Sequence, residues 1–212
     1  MSSEFIADVR WLLKSITRGL ENRGAGSPEV TSVLARLAEQ DLADKSFTPP
    51  RPCTLPACSL LPDAVGAALA IASDVAAAIA ALQDELHWQQ NPSYSDVAMG
   101  RSGYMDGYAY AEIIGPKGFF HGNDFLLGFL LLGPNRVYRE HYHPAPELYW
   151  TLTGPSRWKR GAGGWEELQA GDIRWHRPFV VHATETSQVP LLCLWAWTND
   201  VAEPARLVAG YA

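Results

Sequence analysis

Two histidines one residue apart, His141-Tyr142-His143, are followed four positions later by Glu147, and a third histidine, His182, stands far downstream in Val180-Val181-His182. Residues two apart in a strand face the same side, so His141 and His143 can converge on one point. The same parity puts Tyr149 on the face of Glu147, beyond the turn-like Pro144-Ala145-Pro146. Three imidazoles and a carboxylate form a ligand set for one divalent transition metal ion, and Fe, Zn, Mn, Ni and Co can all accept it. Tyr149 is placed to join that set. A lone histidine in a strand is usually solvated or hydrogen-bonded, and His87, His121 and His176 are read that way.

Positioning such ligands requires strands. From residue 88 onward the chain reads as short apolar or alternating runs: Tyr108–Ile114, Phe125–Leu132, Val137–Tyr142, Leu148–Thr153, Asp172–Trp175, Val180–Thr184 and Leu191–Thr198. Gly115-Pro116, Gly133-Pro134-Asn135, Gly154-Pro155, Gly161–Gly164 and Pro190 separate them as turn signals. Many short strands at this spacing indicate a mostly β fold, a sandwich or barrel, over residues 88–212.

Residues 1–87 have helical periodicity instead and form an N-terminal α-helical region. Phe5, Val9, Leu12, Ile16 and Leu20 lie on one helix face, and the Gly24–Gly26 stretch ends that run. Ser27-Pro28-Glu29 is a helix start, with Val30, Val33, Leu34 and Leu37 as its apolar face. Residues 48–62 hold five prolines and read as an irregular linker. One further Ala-rich helix is expected from Pro62 to Leu86, packed on the barrel or forming a homodimer contact.

Hydrophobic residues at 47% against 19% charged make a globular composition. A net charge of -6 with no basic stripe argues against nucleic acid and against an anionic membrane surface as partners. The Ala-rich segment is too weakly apolar to span a membrane. Cys53, Cys58 and Cys193 form no disulfide framework; Cys53 and Cys58 can pair, but free thiols are the expected state. With no basic, apolar leader after Met1, a cytoplasmic location is expected.

The run His141-x-His143, three residues, Glu147, six residues, Gly154 resembles the first cupin motif, and Gly171-Asp172 … Pro178 … His182 resembles the second. Four positions depart from the two motifs: Gly133 stands two residues further upstream than usual, Pro178 comes one residue late, Phe179 takes the place of the usual glycine, and Thr186 stands where Asn is common. Residues 138–149 are similar to the bacterial cupin-type dimethylsulfoniopropionate lyases, as are Asn91-Pro92-Ser93-Tyr94, Gly107-Tyr108-Ala109-Tyr110, Ile114-Gly115-Pro116 and the strand with Trp195 and Trp197. The resemblance covers about residues 88–200. It implies a cupin jelly roll and a metal-dependent β-elimination that releases dimethyl sulfide and acrylate from a small-molecule substrate.

That reaction needs a base, and the candidates are Tyr138 and Tyr149, either of which can instead be a core aromatic with a tethered hydroxyl. On a regular strand Tyr138, three residues before His141, points away from the histidines. It reaches the site only if the chain bends, which Gly133-Pro134-Asn135 makes possible. The sulfonium end requires aromatic faces. Trp197 and Trp195 on the last strand and Phe129 are the candidates, with Trp197 favoured by the resemblance. The alternatives are another metal-dependent cupin enzyme, a dioxygenase or isomerase, or a cupin that binds a small molecule without turnover.

Overall fold

The computed structural model describes residues 3–209. Helix α1 (Ser3–Arg23) buries Val9, Leu12, Ile16 and Leu20 along one stripe. Helix α2 (Pro28–Ala38) starts where expected, with the Ser27 hydroxyl accepting the Val30 N–H at 3.3 Å. The single helix expected from Pro62 to Leu86 is two: α3 (Leu61–Ala68) and α4 (Ser73–Leu82). Ala72 leaves helical geometry at φ -148, and Ser73-Asp74 opens the second helix rather than interrupting the first. Short polar side chains favour helix starts over interiors. α1 secures the break, Arg23 donating to the Ile71 carbonyl and Arg18 to the Asp74 carboxylate, each at 3.1 Å.

After β1 (Trp88–Gln89) and the four-residue α5 (Asp96–Met99) come the strands β2 (Tyr108–Ile114), β3 (Leu126–Leu132), β4 (Val137–Tyr142), β5 (Glu147–Thr151), β6 (Ser156–Arg160), β7 (Trp165–Leu168), β8 (Ile173–His176), β9 (His182–Thr186), β10 (Leu191–Trp197) and β11 (Arg206–Leu207). They form a six-stranded sheet, β1-β2-β3-β10-β5-β8, and a five-stranded one, β11-β4-β9-β6-β7, antiparallel throughout. Two antiparallel sheets with helices packed on one side make the mostly β fold with an N-terminal helical region that the sequence predicts.

Parity divides the buried residues into two cores. Leu127, Phe129 and Leu131 of β3 and Leu192, Leu194 and Ala196 of β10 pack with the helices. Leu126, Leu130 and Leu132 of β3 and Cys193, Trp195 and Trp197 of β10 face the interior between the sheets. That is why β3 and β10 are apolar at nearly every position: both of their faces are covered. The Ala-rich helices belong to the outer core, packed within the chain. All three cysteines are free. No helix among the described residues is long and apolar enough to cross a membrane.

Candidate metal centre

His141 on β4 and His182 on β9 are direct cross-strand partners. His143 lies just past the end of β4, and Glu147 opens β5. His143, Glu147 and His182 each offer one ligand atom, and these atoms all lie within 4.8 Å of one another. The His141 ring stands beside them, its centroid 4.1 Å from that of His182. All four residues are buried.

The hydrogen bonds fix how each imidazole points. Nδ1 of His141 donates to the Arg139 carbonyl at 2.7 Å, Nδ1 of His143 to the Ala145 carbonyl at 2.8 Å, and Nδ1 of His182 to the Val180 carbonyl at 2.9 Å. A carbonyl only accepts, so each Nδ1 carries a proton and each neutral ring presents the Nε2 lone pair. Nε2 of His143 then lies 3.0 Å, and Nε2 of His182 3.3 Å, from the same Glu147 oxygen, Oε2. His182 Nε2 has no hydrogen-bond partner. Lone pairs converging on a carboxylate oxygen, with a buried nitrogen left unpartnered, require a cation, so these side chains fit a divalent metal. The other Glu147 oxygen, Oε1, accepts the Trp197 indole N–H at 2.8 Å. Burial opposes the Glu147 charge, and positive charge at the His143 and His182 side of the carboxylate, a proton on the rings or a cation held between them, outweighs it and keeps the carboxyl well below the usual range. Burial, reinforced by His182, pushes His141 well below the usual histidine value.

The cluster forms one wall of a cavity of about 370 Å³ that also touches Tyr138, Tyr149, Trp195 and Trp197. Tyr138 enters it through a bulge. Tyr138 pairs with Thr184 and His141 with His182, so three steps on β4 match two on β9. The extra residue reverses the parity, and the Tyr138 ring stacks on His141 at 4.0 Å. The bend therefore sits at Arg139-Glu140, not at the Gly133-Pro134-Asn135 turn. The Tyr138 hydroxyl is 3.2 Å from that of Tyr94. Burial raises both Tyr138 and Tyr149 well above the ordinary phenol, with Glu147 adding to the rise at Tyr149.

The family model described as dimethylsulfoniopropionate lyase matches residues 27–193. The chain belongs to the dimethylsulfoniopropionate lyase family. It is 30% identical over 129 residues to the lyase DddL of Cereibacter sphaeroides, 58% of this chain and 50% of that one, so it spans half the length of that relative. It is 29% identical over 157 residues to the lyase DddQ of Ruegeria pomeroyi, 72% of this chain and 75% of that one. The crystal structure of that DddQ superposes with a TM-score of 0.67 at 24% identity, covering 92% of this chain and 99% of that one. A structure from work on the lyases RdDddP and RnDddQII gives 0.72 at 20% identity, over 95% and 98% of the two chains.

In this lyase-family chain Trp197 stacks on His143 at 4.3 Å, and Trp195 meets Trp197 edge-to-face at 5.9 Å. Phe129 corrects the expectation. In β3 it shares a face with Leu127 and Leu131, which turns it into the helical core, away from the cavity. His176 overturns its default reading as a solvated or hydrogen-bonded residue. It is fully buried, both ring nitrogens lack partners, and it stacks on His182 at 4.1 Å. Burial, then His182, lowers it to about 2. The signal lay in parity: His176 pairs with Glu147 across β5 and β8, a relation invisible until the strands are matched. His87 behaves as expected, bonded at 2.6 Å to the Arg51 carbonyl, and His121 is exposed.

Proposed function

We propose that this chain cleaves dimethylsulfoniopropionate to dimethyl sulfide and acrylate by β-elimination, in a cavity that holds one divalent transition metal ion. The observation that carries the reading is the meeting, on one buried wall, of converging Nε2 lone pairs, the Glu147 carboxylate and the ring of Tyr138. His141, His143, Glu147 and His182 would hold the metal, with Tyr149 beside Glu147 as a further oxygen donor. The metal would supply Lewis-acid stabilisation of charge developing on the substrate carboxylate and a positive field favouring a nearby phenolate.

The chain's own residues do the rest. Tyr138 is the base. Its oxygen, as the phenolate, takes the proton from the carbon next to the carboxylate and ends as the neutral phenol, that C–H pair becomes the double bond of acrylate, and the C–S pair leaves with neutral dimethyl sulfide. Burial alone keeps both tyrosines protonated, so neither becomes a base without a positive charge nearby. Tyr94, in contact with the Tyr138 hydroxyl, steadies the oxygen through the transfer. His141 fixes the plane of the Tyr138 ring by stacking. Trp197 and Trp195 offer aromatic faces to the sulfonium. Trp197 has a second task, since its N–H holds one Glu147 oxygen and leaves the other toward the histidines.

The unpaired cysteines suit a reducing compartment, and a cytoplasmic location is part of this reading. So is a homodimer, although the Ala-rich helices that prompted it pack within the chain. Oxygen separates the lyase from a dioxygenase. Metal-loaded protein under strict anaerobiosis should convert dimethylsulfoniopropionate to equal amounts of dimethyl sulfide and acrylate. Turnover that stops without O₂ would transfer the site to the dioxygenase alternative.

A further inference from the structure

A second buried carboxylate borders the cavity, and neither the ligand set nor the proton transfer uses it. Glu112 is on β2, on the same wall as the tryptophans. The strand registers give one cross-strand row on the inner face: Glu112 beside Gly128, Gly128 beside Trp195, Trp195 beside Tyr149. Glycine is required in that row. A Cβ on Gly128 would lie 2.9 Å from the Trp195 indole and 2.2 Å from the Ala111 carbonyl. The indole therefore lies over β3, between Tyr149 and Glu112, and the Tyr110 ring meets it at 6.0 Å. The cavity thus runs from the histidines, past aromatic faces, to a carboxylate.

Glu112 is 7% exposed. Oε1 accepts the Gln89 amide at 3.1 Å and Oε2 the Lys117 backbone N–H at 2.7 Å. Two bonds leave lone pairs free on both oxygens. No lysine or arginine forms an ion pair with it among the described residues, and none lines the cavity. Burial raises its carboxyl, while the Lys117 N–H, the Gln89 amide, and more distant His87 and Lys117 work the other way. An acid kept from water without a cationic partner is matched by a cationic ligand.

We propose that Glu112 is the counter-charge for the onium end of the substrate, so that the cavity selects zwitterions over neutral acids of the same shape. Aromatic faces alone surround a cation; Glu112 adds a full negative charge at the end of the cavity away from the metal. This rests on the lyase reading for the direction in which substrate lies, with its carboxylate toward the histidines.

The test uses two inert probes on the metal-loaded full chain. One is the trimethylammonium analogue of the substrate, β-alanine betaine. The other is the acid carrying a tert-butyl group in place of the trimethylammonium. They share shape and carboxylate and differ in one charge. Wild-type protein should bind the cationic probe more tightly, and Glu112→Gln should weaken that probe about tenfold while the neutral one changes less than about twofold. Glu112→Asp, which keeps the charge, should retain most of the preference. Equal losses for both probes in Glu112→Gln would show that Glu112 only braces the Gly115–Lys117 turn, and unchanged binding of both would show that it is idle; either overturns the proposal. The probes are not cleaved, so a preference that depends on Glu112 stands even if dimethylsulfoniopropionate itself is not turned over, which would sink the lyase reading alone.

Discussion

Glu147 Oε2 lies within 3.3 Å of two histidine nitrogens that have no proton to give it while their rings are neutral. This local conflict makes the metal assignment testable one side chain at a time. Purified wild-type protein should hold about one divalent transition metal per chain, and His143→Ala and His182→Ala should each lose most of it by elemental analysis. His176→Leu should keep it, because the His176 ring stacks behind His182 instead of converging with the other donors. The tyrosines separate by the same measurement. Tyr138→Phe should retain metal and lose ~10²–10⁴ in rate, the usual cost of removing a general base. Tyr149→Phe should lose rate and also weaken metal binding, because Tyr149 shares its face and its charge environment with Glu147. Near-normal activity in Tyr138→Phe beside an inactive, fully loaded Tyr149→Phe would reverse the two roles. His141, His143 and Glu147 could be grouped in the sequence because spacing and parity are local, and His182, far downstream, joined them only as a strand histidine in a stretch resembling the second cupin motif. His176 was not, because a lone histidine becomes informative only once its cross-strand partner, Glu147, is known.

At the scale of elements, the β4 bulge decides whether Tyr138 belongs to the site. The sequence stated the parity problem correctly and looked for its solution in the wrong turn. A bulge is an agreement between two strands, and β9 lies forty residues further on. Strands with apolar or alternating patterns, β2 and β4 among them, could be read to their ends. β6 and β7 could not: Ser156-Arg157-Trp158-Lys159-Arg160 buries little besides Trp158, and its outer face is polar. Near His182, the turn residue Phe179 adopts φ 58, a conformation that favours the glycine usual at this position in the cupin motif, and its N–H still reaches the His143 carbonyl at 2.9 Å. The helices act on the site indirectly, by covering the outer faces of β3 and β10. Leu12→Ala on α1 should therefore cost about 2–5 kcal/mol, read as a lower midpoint in denaturant. Metal content in the protein that remains folded should stay normal. Metal loss from folded Leu12→Ala protein would mean that α1 shapes the ligand geometry itself.

The whole molecule is a barrel with an aliphatic outer core and an aromatic, polar inner one, and the two are separated by the parity of two strands. The division explains how a cavity carrying two carboxylates and several phenols can persist in a chain of this size: the outer core supplies the apolar burial that the inner one gives up to chemistry. Metal joins the two scales, since binding to the folded state alone stabilises it. The most direct test of the account is headspace dimethyl sulfide from purified protein given dimethylsulfoniopropionate, measured before metal removal by chelation and dialysis, after it, and again after divalent metal is restored. The expected result is release that falls to background without metal and returns with it. Undiminished release from fully stripped protein, or none from protein holding its metal, would contradict it.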